Sequence, residues 1–293
     1  MSGALKEVRN RIQSVKSTQQ ITKAMKMVSA AKLRRAHDAI MQMRPYAQKL
    51  QEMLANIVSN AEGDVSMALT AERPVQKIMV IIITSDRGLC GGYNSNLIKL
   101  AKQVIKDKYA NIAAKGNAEM LPLGKKGYEH FTKNKFKVID RYWHIFSELN
   151  FENVTAVAKF TMDAFEKGEV DAVELVYSEF KNAATQKFTV EQFLPVKKSE
   201  KKKGEAKADF IFEPGKNILI KELMPKILST QLYKAILDAH ASEHGARMTA
   251  MDKATENAEE LLKSLKISYN RARQAAITTE LTEIVSGAAA LQG

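Results

Sequence analysis

The chain has 293 residues, 45% of them hydrophobic, and a formal net charge of +12 at pH 7. This apolar content is that of a globular protein with a core, and no apolar run approaches the roughly 20 residues that a membrane-spanning helix needs. The single cysteine, Cys90, excludes an internal disulfide framework and fits a reducing compartment.

The first 60 residues carry an apolar repeat with coiled-coil spacing. Alternate steps of three and four residues from Leu5 fall mostly on apolar positions as far as Ala61, which keeps one stripe of a helix toward a partner helix. The stripe turns polar only between Gln19 and Ser29. The apolar residues there lie off the stripe: Ile21, Met25, Met27 and Val28. We predict one long helix, kinked or loosened at Pro45, with a middle that faces something other than its main partner.

This segment also holds most of the excess positive charge. Residues 1–60 contain 11 Lys/Arg and 3 Asp/Glu, a net charge of +8, and the eight basic residues between Glu7 and Asp38 have no acid among them. Such a stretch can bind nucleic acid, act as a mitochondrial presequence, face acidic proteins, or simply be solvated. Aromatic residues that would stack on bases are missing from it, and a removable leader would not share a repeat with the helix that follows.

The middle of the chain has the pattern of an α/β domain. The run KIMVIIIT at 77–84 predicts a strand buried on both faces, and the glycine-rich turn SDRGLCGGYN follows. Asn94 or Ser95 is expected to cap a helix ending near Ala114. The remaining elements are predicted as a strand at 119–123, a helix at 125–133, a strand at 136–141, a helix at 151–167, and strands at 170–180 and 187–195. Residues 197–207 read as a disordered basic loop, and 210–214 as a short strand and turn.

A second coiled-coil helix is predicted from about residue 216 to the C-terminus, with Pro225 as a break or a start. Its apolar stripe runs from Met248 to Ala276 and then shifts by one residue, onto Ile277, Leu281, Ile284, Ala288 and Leu291. At about 1.5 Å per residue the helix is roughly 110 Å long, and its stripe needs a partner. We predict that it pairs antiparallel with the first helix and outruns it by about 12–18 residues, from near residue 275.

The predicted fold class is therefore α/β: a long antiparallel coiled coil of the N- and C-terminal helices plus a central Rossmann-like α/β domain. The predicted domains are an N-terminal helix at 1–61, the α/β domain at 75–214, and a C-terminal helix with a protruding tip at 215–293.

Three features could carry chemistry. GLCGGYN follows a strand, as phosphate-binding loops do, but its spacing is neither GxGxxG nor a P-loop. HASEH at 240–244 matches the inverted zincin pattern. A zinc site of that kind also needs a third ligand and a cleft, whereas this segment lies on a predicted long helix. Cys90 near a helix N-terminus could be a nucleophile, and a small core residue is the simpler interpretation. GLCGGYN and HASEH motivate the hypothesis of an enzyme with a nucleotide- or metal-binding α/β domain. The basic first helix motivates another, a static coiled-coil scaffold or nucleic-acid binder.

Four segments resemble the gamma subunit of F-type ATP synthase, and the similarity spans the chain from residue 3 to the C-terminus. They are ITKAMKMVSAAKLR at 21–34, ITSDRGLCGGYN at 83–94, SEHGARMTAMDKATENA at 242–258 and NRARQAAITTELTEIVSGAAAL at 270–291. The resemblance implies a central rotor shaft that transmits torque from an ion-driven c ring to the catalytic beta subunits, coupling proton transport to ATP synthesis or hydrolysis. It implies no catalysis, cofactor or metal in this chain itself.

The resemblance also implies site residues. Contacts with the beta subunit fall on Met25, Lys26, Arg247, Arg273, Gln274 and Thr278. The tip that turns in an apolar bearing falls on Ile277, Leu281, Ile284 and Val285, and the foot near the c ring on Phe210, Phe212 and Glu213. The implied partners are the alpha and beta subunits, epsilon, the c ring and, through the assembly, delta, with no nucleic acid and no membrane insertion. The expected location is the cytoplasmic face of the bacterial plasma membrane, with the matrix side of the mitochondrial inner membrane as the alternative.

Overall fold

The computed structural model describes residues 3–59, 68–183, 185–196 and 216–292. The helices are α1 (Gly3–Ser59), α2 (Tyr93–Ala114), α3 (Lys125–Lys133), α4 (Phe151–Glu166) and α5 (Lys216–Gln292). The strands are β1 (Ile78–Ile83), β2 (Ala118–Leu123), β3 (Lys137–Val138), β4 (Ala172–Phe180) and β5 (Gln186–Leu194). Short 3-10 turns span Ala68–Thr70 and Ile145–Glu148.

The chain divides into two compact units. The helix-pair unit contains residues 1–29 and 247–293, and the sheet unit contains residues 30–246. The predicted domain boundaries at 61, 75 and 215 follow the sequence pattern and stay a prediction.

The sheet unit is built on five strands in the order β3-β2-β1-β4-β5. The first four strands in this order run parallel, and β5 is an antiparallel edge strand paired with β4. The parallel pairs need helical crossovers, which the α-helices between the strands supply. The mixed α/β fold class, with a mainly parallel sheet and long N- and C-terminal helices, is thus confirmed.

The central strand β1 is buried on both faces, as its continuous apolar run predicts. Ile78, Val80 and Ile82 pack into a core with α2 and α3, where Tyr93, Leu97 and Phe131 are buried. The alternate residues Met79, Ile81 and Ile83 face a second core, which α4 and residues 224–239 of α5 complete. Burying one Val, Leu or Ile side chain stabilises a fold by about 1.5–3 kcal/mol, so this strand anchors the sheet unit.

Three local predictions need correction. The helix α2 begins at Tyr93 after Gly92, with no side-chain cap, because the side chain of Asn94 instead accepts a hydrogen bond from the backbone N–H of Ser85. The strand β3 has only two residues, since the chain turns away at Asp140. Pro225 lies inside α5 and neither starts nor interrupts it.

Gly245 lies inside α5 for a packing reason. A Cβ atom at this position would lie 3.0 Å from the backbone oxygen of Ala183 and 3.3 Å from its Cα atom. Glycine therefore allows the segment after β4 to approach the helix closely, at the cost of about 1 kcal/mol in helix propensity.

Candidate partner-contact surface

The helix-pair unit joins the beginning of α1 to the last part of α5. The hydroxyl oxygens of Thr22 and Thr255 lie 2.8 Å apart, and the ammonium of Lys26 contacts the carboxylate of Asp252. Residue numbers rise along α1 as they fall along α5, so the two helices are antiparallel. Extending this register places Leu5, near the start of α1, opposite Ala272.

Apart from Arg247, the buried positions of this unit lie on the stripes that the heptad repeat predicts. On α1 they are Leu5, Thr22 and Ser29, and on α5 they are Met251, Ala258 and Leu265. The polar interval of the first stripe therefore stays in the helix interface, and the expectation that it faces something other than the partner helix was wrong. Small hydroxyl side chains there let the helices pack closely.

The hydroxyls of Thr22 and Thr255 make three hydrogen-bonding contacts but have only two protons to donate. Thr22 also contacts the carbonyl of Gln19 at 3.0 Å, and Thr255 contacts the carbonyl of Met251 at 2.7 Å. Two protons serve three contacts, so at any moment one hydroxyl donates across the interface or both donate within their own helices. The pair thus fixes the register of the helices without burying an unbonded donor.

The apolar residues beside this interval point away from the partner helix. Ile21, Met27 and Val28 are 58%, 62% and 57% exposed. Three large apolar side chains on one exposed stretch of a basic helix form a surface that a partner protein could cover. We call Ile21, Met27 and Val28 the exposed α1 patch.

The predicted beta-subunit contacts on this stretch are less accessible than the exposed α1 patch. Met25 is half-buried, Arg247 is only 7% exposed, and the charge of Lys26 is offset by Asp252. The sequence pattern had marked Ile21, Met27 and Val28 as lying off the stripe. It gave no reason to rank them above the charged residues, because exposure depends on where the partner helix lies.

The end of α5 has a different surface. Residues 277–290 are exposed at every position, and Ile277, Leu281, Ile284 and Val285 are between 49% and 67% exposed. Arg273, Gln274 and Thr278 are exposed just before and within this segment, and the Thr278 hydroxyl donates to the carbonyl of Gln274 at 3.0 Å. The segment is an apolar row on a helix, preceded by polar groups that are accessible to another molecule.

The glycine-rich turn uses its polar groups internally. The Ser85 hydroxyl donates to the carbonyl of Arg87 at 2.7 Å, and the Asn94 amide contacts the Ser85 oxygen at 2.7 Å. A carboxylate oxygen of Asp86 accepts the backbone N–H of Lys125, at the start of α3. These contacts tie the polar side chains of the turn to one another and to the start of α3, so the geometry favours a structural role for this turn. Cys90 is buried in the same network, beside Ser85 and Asn94.

The histidines of HASEH lie on one face of α5. The Nε2 atoms of His240 and His244 are 3.1 Å apart, and the His240 ring stacks on Phe146. Within the described ranges, no three His, Cys, Asp or Glu side chains converge as metal ligands would. The arrangement therefore lacks the third protein ligand of a hydrolytic zinc site.

A buried carboxyl group lies two residues before this pair. Asp238 is 1% exposed, and its Oδ1 atom has no hydrogen-bond partner in the structure. Burial raises the pKa of Asp238 from 3.8 to about 6, against the opposing effect of Lys234 and Arg44, while Glu179 and Glu191 raise it further. Burial, and after it the same acidic surroundings, raises the pKa of Tyr177, whose hydroxyl donates to Glu191 at 2.7 Å.

The residues predicted for the c-ring foot, Phe210, Phe212 and Glu213, lie outside the described residues, as does the lysine-rich stretch 197–207. No helix in the described part of the chain combines the length and hydropathy needed to cross a bilayer.

Comparison with known proteins identifies the family. The family model described as ATP synthase matches residues 4–291. The chain is 53% identical over 289 residues to the ATP synthase gamma chain of Flavobacterium johnsoniae, covering 99% of each chain. The chain belongs to the ATP synthase gamma chain family. It is also 51% identical over 291 residues to the gamma chain of Cytophaga hutchinsonii, covering 98% of this chain and 99% of the relative.

A solved structure supports the fold of the gamma chain family. The cryo-EM structure of the rotor of Euglena gracilis mitochondrial ATP synthase, in rotational state 1, matches with a TM-score of 0.63 and 21% identity. The match covers 94% of this chain and 99% of the Euglena chain. Membership of the gamma chain family makes this chain a central-stalk subunit of ATP synthase, and the two relatives above are bacterial.

Proposed function

We propose that this chain is the non-catalytic rotor shaft that carries torque from an ion-driven c ring to the catalytic beta subunits. Coupling proton transport to ATP synthesis or hydrolysis needs a stiff element that offers different side chains to different beta subunits as it turns. The antiparallel helix pair is such an element, because each helix stabilises the apolar stripe of the other.

The observation that carries this proposal is the uncovered end of α5. The register of the pair places the start of α1 opposite Ala272, and residues 277–290 are exposed throughout. A helix that exposes Leu281, Ile284 and Val285 to water gains stability when another protein covers them. In our proposal these side chains and Ile277 turn inside an apolar bearing formed by the alpha and beta subunits.

Two other surfaces are proposed to contact the beta subunits. Arg273, Gln274 and Thr278 form a polar catch that hydrogen-bonds a beta subunit in one rotary state. The basic stretch around Met25 and Lys26, with Arg247 at the same level, faces acidic beta-subunit segments, and the exposed α1 patch widens this contact.

The remaining partners are proposed from the family. The sheet unit contacts the epsilon subunit, and Phe210, Phe212 and Glu213 form the foot on the c ring, with delta reached only through the assembly. The chain would then be a peripheral protein at the cytoplasmic face of a bacterial plasma membrane, which the bacterial relatives favour over the mitochondrial alternative.

The polar catch gives a direct test. We expect Arg273→Ala with Gln274→Ala to lower coupled ATP synthesis by roughly tenfold, because a charge-assisted hydrogen bond contributes about 1.5–3 kcal/mol. The measurement is proton-driven ATP synthesis in vesicles that hold equal amounts of assembled complex.

Lys266→Ala is the matched control, since Lys266 is exposed on the same helix outside the proposed contacts. It should leave synthesis unchanged. Wild-type rates in the double variant would remove the catch, and a chain that never co-purifies with alpha and beta subunits would remove the rotor function itself.

A further inference from the structure

The His240 and His244 side chains bring two ring nitrogens unusually close. Their Nε2 atoms are 3.1 Å apart, with ring centroids 4.5 Å apart and ring planes at 80°. Without a bound metal, two neutral imidazoles at this distance form one hydrogen bond, in which one Nε2 donates its proton and the other Nε2 accepts it. The same two lone-pair positions can instead bind one metal ion.

The spacing selects among metal ions. At a metal–nitrogen distance of about 2.0–2.1 Å, two nitrogens 3.1 Å apart subtend roughly 100° at the metal. That angle suits a tetrahedral Zn²⁺ or a tetragonal Cu²⁺ or Ni²⁺, for which imidazole is a preferred ligand. A linear two-coordinate ion would need the nitrogens about 4 Å apart.

We propose that His240 and His244 form a two-histidine site for one divalent transition metal ion, with Zn²⁺, Cu²⁺ and Ni²⁺ as the candidate ions. Water completes the coordination from the side of His240, which is partly exposed, whereas His244 is 5% exposed. The proton between the two Nε2 atoms leaves that position when the metal binds, either to Nδ1 of the same ring or to solvent.

Phe146 positions one of the ligands. Its ring stacks on His240 with the centroids 5.7 Å apart and the planes at 15°. Because Phe146 lies in the 3-10 turn Ile145–Glu148 that precedes α4, this contact holds the His240 ring at a fixed angle from outside α5. Fixing a ligand ring before the metal arrives lowers the entropy lost on binding.

The site has a local consequence for α5. The two histidines lie one helical turn apart, and Gly245, the weakest helix former in this stretch, follows His244 directly. A metal bound to both rings links consecutive turns next to that glycine. Metal binding therefore reduces local opening of the helix around residues 240–246, and it supplies no catalysis.

Metal titration of the purified full-length chain tests the site. We expect one Cu²⁺ per chain, with an electron paramagnetic resonance spectrum that shows coupling to two imidazole nitrogens, and Zn²⁺ competing for the same site. His240→Ala should lower the affinity at least tenfold, and His244→Ala should do the same. Binding should weaken as the pH falls, because protons compete with the metal for imidazole nitrogens.

His144→Ala is the matched control, because His144 is an exposed histidine of the same unit with no histidine one turn away, and it should leave the two-nitrogen spectrum unchanged. A wild-type spectrum without two coupled nitrogens overturns the proposal whatever the variants do. Equal affinity in the wild type and His240→Ala overturns it as well. Amide exchange at 240–246 that zinc does not slow in the wild type would remove the proposed effect on the helix.

Discussion

Asp238 is a single residue whose ionised form destabilises the fold that contains it. Aspartate is seldom fully buried unless a charge or hydrogen bonds compensate it, yet Asp238 is buried on α5 with one oxygen unbonded. Lys234 and Arg44 attract its charge but do not fully offset the burial, so the pKa stays raised to about 6. The ionised form of Asp238 therefore lowers the stability of the sheet unit.

The sign of the pH dependence follows from this raised pKa. Between about pH 4 and pH 6 the native chain binds more protons at Asp238 than the unfolded chain does, so stability is lost as pH rises through this interval. We expect Asp238→Asn to remove that loss. Above pH 7 the variant should be more stable than the wild type by up to about 3 kcal/mol, and near pH 3.5 the two should be nearly equal.

Denaturant unfolding of the full chain between pH 3.5 and 8 measures this difference. Glu166→Gln, at an exposed acid of α4, is the control and should change stability by less than about 0.5 kcal/mol at every pH. A constant offset between wild type and Asp238→Asn across the whole range would show that Asp238 does not titrate as stated.

Single polar residues are the features of this chain that its sequence predicts least well. Asn94 has the residue type and position of a helix cap, but its side chain bonds Ser85 across the glycine-rich turn. The cap and the turn contact compete for the same amide group, and the close approach of the two loop ends decides between them. That approach depends on tertiary packing, which residue preferences do not contain.

Whole elements were more predictable, because they depend on periodicity. The helix α3 has the predicted bounds of 125–133, and the buried positions of the helix-pair unit other than Arg247 lie on the predicted stripes. The strand β3 was predicted too long, since its pairing with β2 covers only Lys137 and Val138. The order of strands in the sheet was not predicted at all, because the sequence lists neighbours along the chain and not across the sheet.

The paired threonines test the helix pair at this scale. We expect Thr22→Val and Thr255→Val each to destabilise the helix-pair unit by about 0.5–1 kcal/mol, because each leaves the other hydroxyl facing a methyl group. The double variant should cost clearly less than the sum of the two, since two valines of similar shape pack against each other. Amide exchange of the helix-pair unit, in a double-mutant cycle, measures this coupling.

Thr18→Val separates the interface from the helix itself. Thr18 is exposed and makes the same kind of bond within α1, to the carbonyl of Ser14 at 3.0 Å. It should cost little alone and show no coupling to Thr255→Val. Additive effects of Thr22→Val and Thr255→Val would contradict the direct contact between the two helices.

At the scale of the whole molecule, the family resemblance predicted more than periodicity could. Repeats and charge left a scaffold, a nucleic-acid binder and an enzyme open, and the four matched segments favoured one family that the full-length relatives then confirmed. The resemblance did not predict which of the implied beta-subunit contacts are accessible on the surface of the chain. Arg247 is buried in the chain while Arg273 is exposed, and the sequence around each arginine does not contain the packing that makes this difference.

The uncovered end of α5 leads to a prediction that separates folding from function. A chain ending at Ala276 should unfold within about 0.5 kcal/mol of the full chain, because residues 277–290 are exposed and contribute little burial. In the assembled complex the same truncation should lower coupled ATP synthesis, since the apolar side chains of the proposed bearing are gone. Thermal unfolding of the chain and proton-driven synthesis by the complex measure the two effects.

Gly287→Ala is the control that keeps this segment in place. A Cβ atom there meets nothing within 4 Å, so the variant should match the wild type in synthesis and slightly favour the helix. A large loss of stability on truncation would mean that the segment packs against the rest of the chain. Undiminished synthesis by the truncated complex would instead remove the bearing role, and torque would then have to pass through the catch and the basic stretch of α1 alone.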